Sequence, residues 1–301
     1  MRRLPLIAMS GVIAVGLTLS ACGSDSMSNT PGAGGGGTST AAGSGVDSAL
    51  AAKVPAKIKD AGKIDIGTDP TYAPSEMLGS DGKTVEGFDV DIFNAVAAKL
   101  GLKTEWQPAD FGTIILGVTG GKFDIGVSSF TINDERKKQV NMVSYYSAGT
   151  QWVVAKGNPD KIDIENACGK NVGVQKDTVQ VDDLAARSKK CTEAGKPAIN
   201  VIPQTKQDQV TADLISGKTS AMLADSPIGL YAVNQTGDKL EALGDIYDSA
   251  PYGYVVPKDQ TDFANLLVEA LKAVEADGSY QAALKKYNVE AGGISDFAVN
   301  P

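Results

Sequence analysis

The chain has 301 residues, 42% of them hydrophobic, and a formal net charge of −8. That length suits one large domain or two medium ones with a sizeable core, and the acidic balance argues against broad nucleic-acid binding, which needs clustered positive charge. Histidine is absent, which excludes Ser-His-Asp and Cys-His nucleophile systems and His-ligated zinc but not enzymes built on Lys, Glu or Asp.

Arg2 and Arg3 precede an uncharged run from Leu4 to Leu19. A basic start, an apolar middle and a small-residue exit make an export signal, too short and too early for a spanning helix. Leu19-Ser20-Ala21-Cys22 resembles a bacterial lipobox. That resemblance implies cleavage of residues 1–21 before Cys22 and attachment of lipid, palmitate included, to its sulfur. The alternative is an ordinary signal with an incidental cysteine. Loss of Arg2 and Arg3 takes the formal charge from −8 to −10. Residues 22–45, which include Gly34-Gly35-Gly36-Gly37, are too poor in apolar side chains to build a core and read as a lipidated flexible tether. Residues 46–62 are a mildly helical lead-in broken at Pro55. No later segment is long and apolar enough to cross a membrane, so attachment would rest on lipid at Cys22, with more than one acyl chain needed for a stable hold. The expected location is the extracytoplasmic face of the bacterial cell membrane. Cys168 and Cys191 are then an even pair in an oxidising compartment, which favours a disulfide over two buried free thiols.

From Lys63 strands and helices alternate. Ile64 and Ile66, at period two, mark a strand running into Thr68-Asp69-Pro70. Apolar residues at helical spacing predict a helix over 90–100, closed by Gly101. A strand is expected at 103–107, a helix at 114–118, a strand at 123–127 and a short charged helix at 134–140. The rhythm resumes with strands at 171–174, 199–202 and 220–223, helices at 179–188, 207–216 and 227–234, a strand at 252–256, and closing helices at 263–275 and 280–287. Such alternation implies mostly parallel sheets covered on both faces, with ligands bound beyond the carboxyl ends of the strands. Thr68-Asp69, Ser128-Ser129 and Asp225-Ser226 follow strand candidates and suit such a site.

Thr68-Asp69-Pro70-Thr71-Tyr72-Ala73-Pro74, Gly87-Phe88-Asp89-Val90-Asp91, Gly121-Lys122-Phe123-Asp124 and Glu135-Arg136-Lys137-Lys138 occur in that order. Together they resemble the family-3 extracellular solute-binding proteins, receptors of polar amino acid ABC importers. The resemblance spans residues 63 to 287. It implies an α/β architecture, the two-lobe periplasmic-binding-protein (type II) fold with two hinge-crossing strands. One lobe would be 63–151 plus 251–301 and the other 152–250, with crossings near Thr150–Val154 and Pro251–Val256.

The same resemblance implies the site. Arg136 would clamp the ligand's α-carboxylate, a geometry that suits a planar guanidinium, with Thr131 and Ser129 adding hydrogen bonds. Asp225 would take the ammonium; capping the helix after Ser226-Pro227 is the structural alternative. Tyr72 and Phe111 would sandwich the aliphatic part. Asp69, a turn or cap residue otherwise, would meet the side-chain end, with Gln175 beside it and Glu76 nearby. Asp89 and Asp91 read as helix-start residues rather than an acid-base or metal pair. The chain departs from the family at Asp177, where a glycine is common, and at Val179, where a small residue or threonine often supplies a carboxylate contact. The resulting expectation is a monomeric binding protein without catalysis, cofactor or metal. It captures a free polar L-amino acid, basic or glutamine, and delivers it to an ABC permease, with no nucleic-acid partner. Rivals are an enzyme like the cyclohexadienyl dehydratases of the same fold, with Glu76 as proton donor, and a ligand-sensing receptor module.

Overall fold

A computed structural model of the protein describes residues 45–301. The export signal, Cys22 and all but the last residue of the tether lie outside the described residues. The lead-in folds as two short helices, α1 (Ser48–Ala51) and α2 (Ala56–Ala61), separated at Pro55. Then follow β1 (Lys63–Thr68), β2 (Thr71–Tyr72), β3 (Glu76–Leu78), β4 (Val85–Glu86), α3 (Phe88–Lys99), β5 (Lys103–Pro108), α4 (Phe111–Thr119), β6 (Ile125–Gly126), α5 (Asp134–Gln139) and the long β7 (Val140–Ala155). Next come β8 (Asn171–Gln175), α6 (Val179–Glu193), β9 (Asn200–Gln204), α7 (Gln207–Ile215), β10 (Ala221–Asp225) and α8 (Ser226–Thr236). The chain closes with a second long strand, β11 (Leu240–Pro257), then α9 (Thr261–Ala276) and α10 (Ser279–Lys286). The alternation expected from the sequence is present, with β6 shorter than its apolar run suggested.

Eight strands form one sheet in the order β5-β1-β6-β11-β7-β10-β8-β9, and β2, β3 and β4 form a small second sheet. β1 pairs in parallel with β5 and β6, and β8 pairs in parallel with β9 and β10. These two parallel blocks are joined by the antiparallel pair β7 and β11. Beyond Thr150, β7 pairs with β10, whereas Val255 of β11 pairs with β6. The register of β7 against β11 is irregular between Leu243 and Ala250. The passage from one block to the other therefore falls at Ala148–Thr150 and Tyr247–Ala250, at the amino-terminal edge of the first expected crossing and just before the second.

Each block is covered on both faces, because successive side chains of a strand point oppositely. Trp152, Val154, Ala221 and Leu223 enter a core with Leu184 of α6, while Val153 and Met222 pack with Val210 and Leu214 of α7 on the other side. In the first block Ile64, Ile66, Val143 and Tyr254 meet α3, α9 and α10, and Met142 and Val255 meet Ile114 and Val118 of α4. Cys168 and Cys191 form a disulfide with a Cα–Cα distance of 5.6 Å and a sequence separation of 23. It pins the segment before β8 to α6 and contributes about 3 kcal/mol on the chain-entropy view. Among the described residues no helix is long and apolar enough to cross a membrane.

Candidate functional site

The carboxyl ends of β1, β6, β8 and β10, together with the starts of the helices that follow, meet at the seam between the two blocks. Asp69 follows β1, Tyr72 lies in β2, Phe111 opens α4, and Ser129 and Thr131 lie in the loop after β6. Arg136 is in α5, Gln175 ends β8 and Asp225 ends β10.

Arg136 is turned inward by its helix. Asn133 caps α5 by accepting from the Arg136 backbone N–H at 2.9 Å, which leaves the side chain on the sheet side and 8% exposed. Its guanidinium donates to the Thr131 carbonyl at 2.7 Å and, across the seam, to the Asp177 carbonyl at 3.0 Å. It lies 5.3 Å and 5.4 Å from the ring centres of Phe111 and Phe130, which stack on each other at 4.5 Å. The Phe faces suit a planar cation. Burial pushes the guanidinium pKa down, and the charge of Asp225 opposes the shift.

Asp177 sits at φ 64, in the left-handed region where glycine is easiest and aspartate is tolerated. That explains why glycine is common there. The departure has a use in this chain: the Asp177 carboxylate lies so close to Gly112, in the first turn of α4, that a methyl group there would collide with it. A carboxylate at a helix amino end is favourable.

Asp225 stands at the amino-terminal cap position of α8 but makes no side-chain cap hydrogen bond. Its carboxylate instead accepts from the Tyr72 hydroxyl at 2.8 Å, across the seam, and from Gln180 at 2.7 Å. Gln180 also donates to Thr150 of β7 at 3.1 Å. Burial raises the Asp225 pKa, opposed by the Tyr252, Tyr72 and Gln180 side chains and by the Arg136 charge.

Asp69 has the turn and cap role weighed for it and also a partner across the seam. It does local structural work, accepting from Thr71 Oγ1 at 2.9 Å and from the Phe111 backbone N–H, at the start of α4, at 3.2 Å. It also accepts from Gln175 across the seam at 2.9 Å. The Gln175 Oε1 atom is buried without a donor. Burial raises the Asp69 pKa, with Thr71 and Phe111 opposing. A cavity of about 740 Å³ reaches Asp69 from the surface past Thr71, Asp110 and Lys206, and Arg136 and Asp225 do not line it. A separate cavity of about 560 Å³ beside β7 and the start of α8 includes none of the eight residues.

The structure thus joins Asp69 to Gln175 and Phe111, Tyr72 to Asp225, and Arg136 to Thr131 and Phe111. It separates Ser129, whose backbone N–H and hydroxyl both donate to Asp89, at 2.9 and 3.1 Å. Asp89 is fully buried, whereas Asp91 forms a surface ion pair with Lys286 at 2.6 Å. The two are not an equivalent helix-start pair. Glu76 is also fully buried and accepts from Ser128 at 2.7 Å. Sequence reasoning missed Gln180 and Phe130. Gln180 shares one face of α6 with buried Leu184 and Cys191, and a polar residue on an apolar stripe signals a buried partner. No cluster of side chains among the described residues fits a metal ion.

A sequence profile of the bacterial extracellular solute-binding proteins, family 3, matches residues 64–290. The arginine-binding protein ArgT of Corynebacterium glutamicum is 33% identical over 252 residues, which cover 83% of this chain and 82% of that protein. A solved ancestral arginine-binding protein bound to arginine aligns with a TM-score of 0.69 and 32% identity, over 75% of this chain and 98% of that one. A solved ancestral amino acid-binding protein described as a precursor of cyclohexadienyl dehydratase aligns with a TM-score of 0.67 and 29% identity, over 77% of this chain and 97% of that one.

Proposed function

Because this chain belongs to the bacterial extracellular solute-binding proteins, family 3, we propose that it captures a free basic L-amino acid outside the cytoplasm and delivers it to an ABC permease. Its fold is the two-lobed α/β periplasmic-binding-protein type that the ordered motifs implied. One observation carries the reading. A buried cation, Arg136, comes from the first block, and a buried carboxylate, Asp225, comes from the second. A second buried carboxylate, Asp69, lies beside Gln175.

A basic amino acid offers one carboxylate and two cationic groups, which complements one guanidinium and two carboxylates. The carboxylate would take the two-pronged Arg136, stacked on Phe111. The ammonium would take Asp225, replacing the hydrogen bond that Tyr72 donates. The far cation would meet Asp69 and the undonated Gln175 Oε1. Because Arg136 and Asp225 come from different lobes, a ligand held at both ends would add bridges across the seam and favour hinge closure. The arginine-binding relatives support the basic class. The lipobox-like segment supports anchoring of the protein through lipid at Cys22, and membership of the family supports delivery to a permease.

The dehydratase reading is disfavoured by the position of Glu76, which is fully buried against Ser128 rather than presented to the seam. The test is a thermal-shift screen of the mature protein against the proteinogenic amino acids plus ornithine, citrulline and cystine. A ligand selective for the native state raises the melting temperature. Arginine, lysine or ornithine should give the largest rise. A rise with acidic or apolar amino acids, and none with basic ones, would refute the ligand class.

A further inference from the structure

Two buried carboxyl groups lie directly behind the turn that carries Ser129, and the ligand reading gives them no role. Glu76 of β3 and Asp89 of α3 are both fully buried. They meet because Gly87 adopts φ 145 and lets the Ser75 backbone approach so closely that any side chain at Gly87 would strike its carbonyl. The Asp89 N–H then donates to the Ser75 carbonyl at 3.1 Å.

The hydrogen bonds around the pair are unequal. Asp89 Oδ2 accepts from the Ser129 N–H at 2.9 Å, the Ser129 hydroxyl at 3.1 Å and the Tyr145 hydroxyl at 2.5 Å. Glu76 Oε1 accepts only from the Ser128 hydroxyl, at 2.7 Å. The remaining oxygens, Glu76 Oε2 and Asp89 Oδ1, are buried and receive no donor. Yet the two carboxyls are held beside each other, by the Asp89 N–H bond to Ser75, the chain neighbour of Glu76, and by their bonds to the adjacent Ser128 and Ser129. Two ionised carboxylates have no hydrogen to place between them, whereas one proton turns repulsion into a bond. Three donors favour the anion on Asp89, so the proton belongs on Glu76.

The serines transmit this to the site. Ser129 has φ 49, a conformation that non-glycine residues adopt only when their surroundings hold them there. Ser128 Oγ accepts from the Asp69 backbone N–H at 3.1 Å. We propose that Glu76 and Asp89 are positioning residues, sharing one proton that holds the Ser128–Ser129 turn, and with it Asp69, in the geometry that binds the amino acid. This rests on the reading of Asp69 as a ligand residue.

The other titratable groups facing the pair are Asp69 and the phenols Tyr72, Tyr145, Tyr146, Tyr254 and Tyr280. Burial raises all five phenols, so they stay neutral. Burial and the Asp89 charge hold Glu76 well above the usual carboxyl range, and burial pushes Asp89 up to about 6.

The test combines calorimetric titration of L-arginine with infrared spectroscopy at neutral pH. E76A should weaken binding about tenfold, the scale of one buried polar group left unpartnered, and E76Q, isosteric with the protonated acid, should restore it to within about twofold. The wild type should show a protonated-carboxyl stretch that loses intensity in E76Q. A role confined to packing would not move that band. E76Q binding as weakly as E76A, or a band unaltered by E76Q, would overturn the proposal. If E76A does not fold, E76Q decides alone: retained binding with a diminished band supports the shared proton, and lost binding overturns it. A wild type that binds no amino acid would refute the proposed function and the link to binding, while the band would still report on the shared proton.

Discussion

Arg136→Ala is expected to weaken L-arginine binding by more than about a hundredfold while leaving the fold intact. Removing one partner of a buried, hydrogen-bonded charge pair costs roughly 2–5 kcal/mol, and each 1.4 kcal/mol is tenfold. The fold should tolerate the change because the guanidinium bonds to two loop carbonyls, of Thr131 and Asp177, rather than to a core strand. Arg136→Lys should also fail, recovering charge without the planar fork. Calorimetric titration beside a thermal melt separates lost binding from lost structure. Unchanged affinity in Arg136→Ala would refute the carboxylate role.

Asp225→Asn should weaken binding at least about tenfold, on the scale of a charge-assisted hydrogen bond. Asparagine preserves shape and can still accept from Gln180, so the change removes the charge while turning the oxygen that faces Tyr72 into an amide NH2. The pH dependence supplies a second readout. Burial raises the Asp225 pKa, so on acidification the free protein takes up a proton at a higher pH than an exposed aspartate would. The ligand ammonium requires the anion, and binding in that range therefore releases a proton. Affinity should rise with pH through the raised value and fall below it. Asp69 is raised in the same direction, so Asp225→Asn should retain a shallower acid limb rather than none. Titration across mildly acidic to neutral pH checks this, and a variant with the wild-type affinity and slope would count against an ammonium site at Asp225.

The parallel blocks were legible because β1, β8 and β10 are short apolar runs ending in polar residues, each followed by helical spacing. The long strands were not. β7 reads Val-Asn-Met-Val-Ser-Tyr-Tyr-Ser-Ala-Gly-Thr-Gln over residues 140–151, with polar residues whose partners lie far away in sequence. Ser144, for example, accepts from the Ala298 N–H, and Gln151 donates to the Leu243 carbonyl. β2, β3 and β4 are too short to show a period. The motifs found the residues at the seam, because a cation and carboxylates at strand ends carry a recognisable chemistry. Gln180 and Phe130 escaped because helix and loop positions of that kind show their role only once the strands have brought Asp225 and Arg136 to them. Asp89 was read from its own helix, as a first-turn acid, whereas the tertiary fold gave it to Ser129 and Tyr145. Local sequence reports a side chain's nearest option, and a buried carboxylate takes whichever donors the packed fold supplies.

The central claim is that two lobes grip opposite ends of one zwitterion. Its most direct test is calorimetric titration of the mature protein with L-arginine and, separately, with agmatine, which keeps the guanidinium and the amine but lacks the α-carboxylate. L-Arginine should bind with a dissociation constant on the order of micromolar or below, about −8 kcal/mol, and agmatine should bind more than about a hundredfold more weakly, because Arg136 then has no carboxylate to clamp. Agmatine binding as tightly as L-arginine would contradict the account.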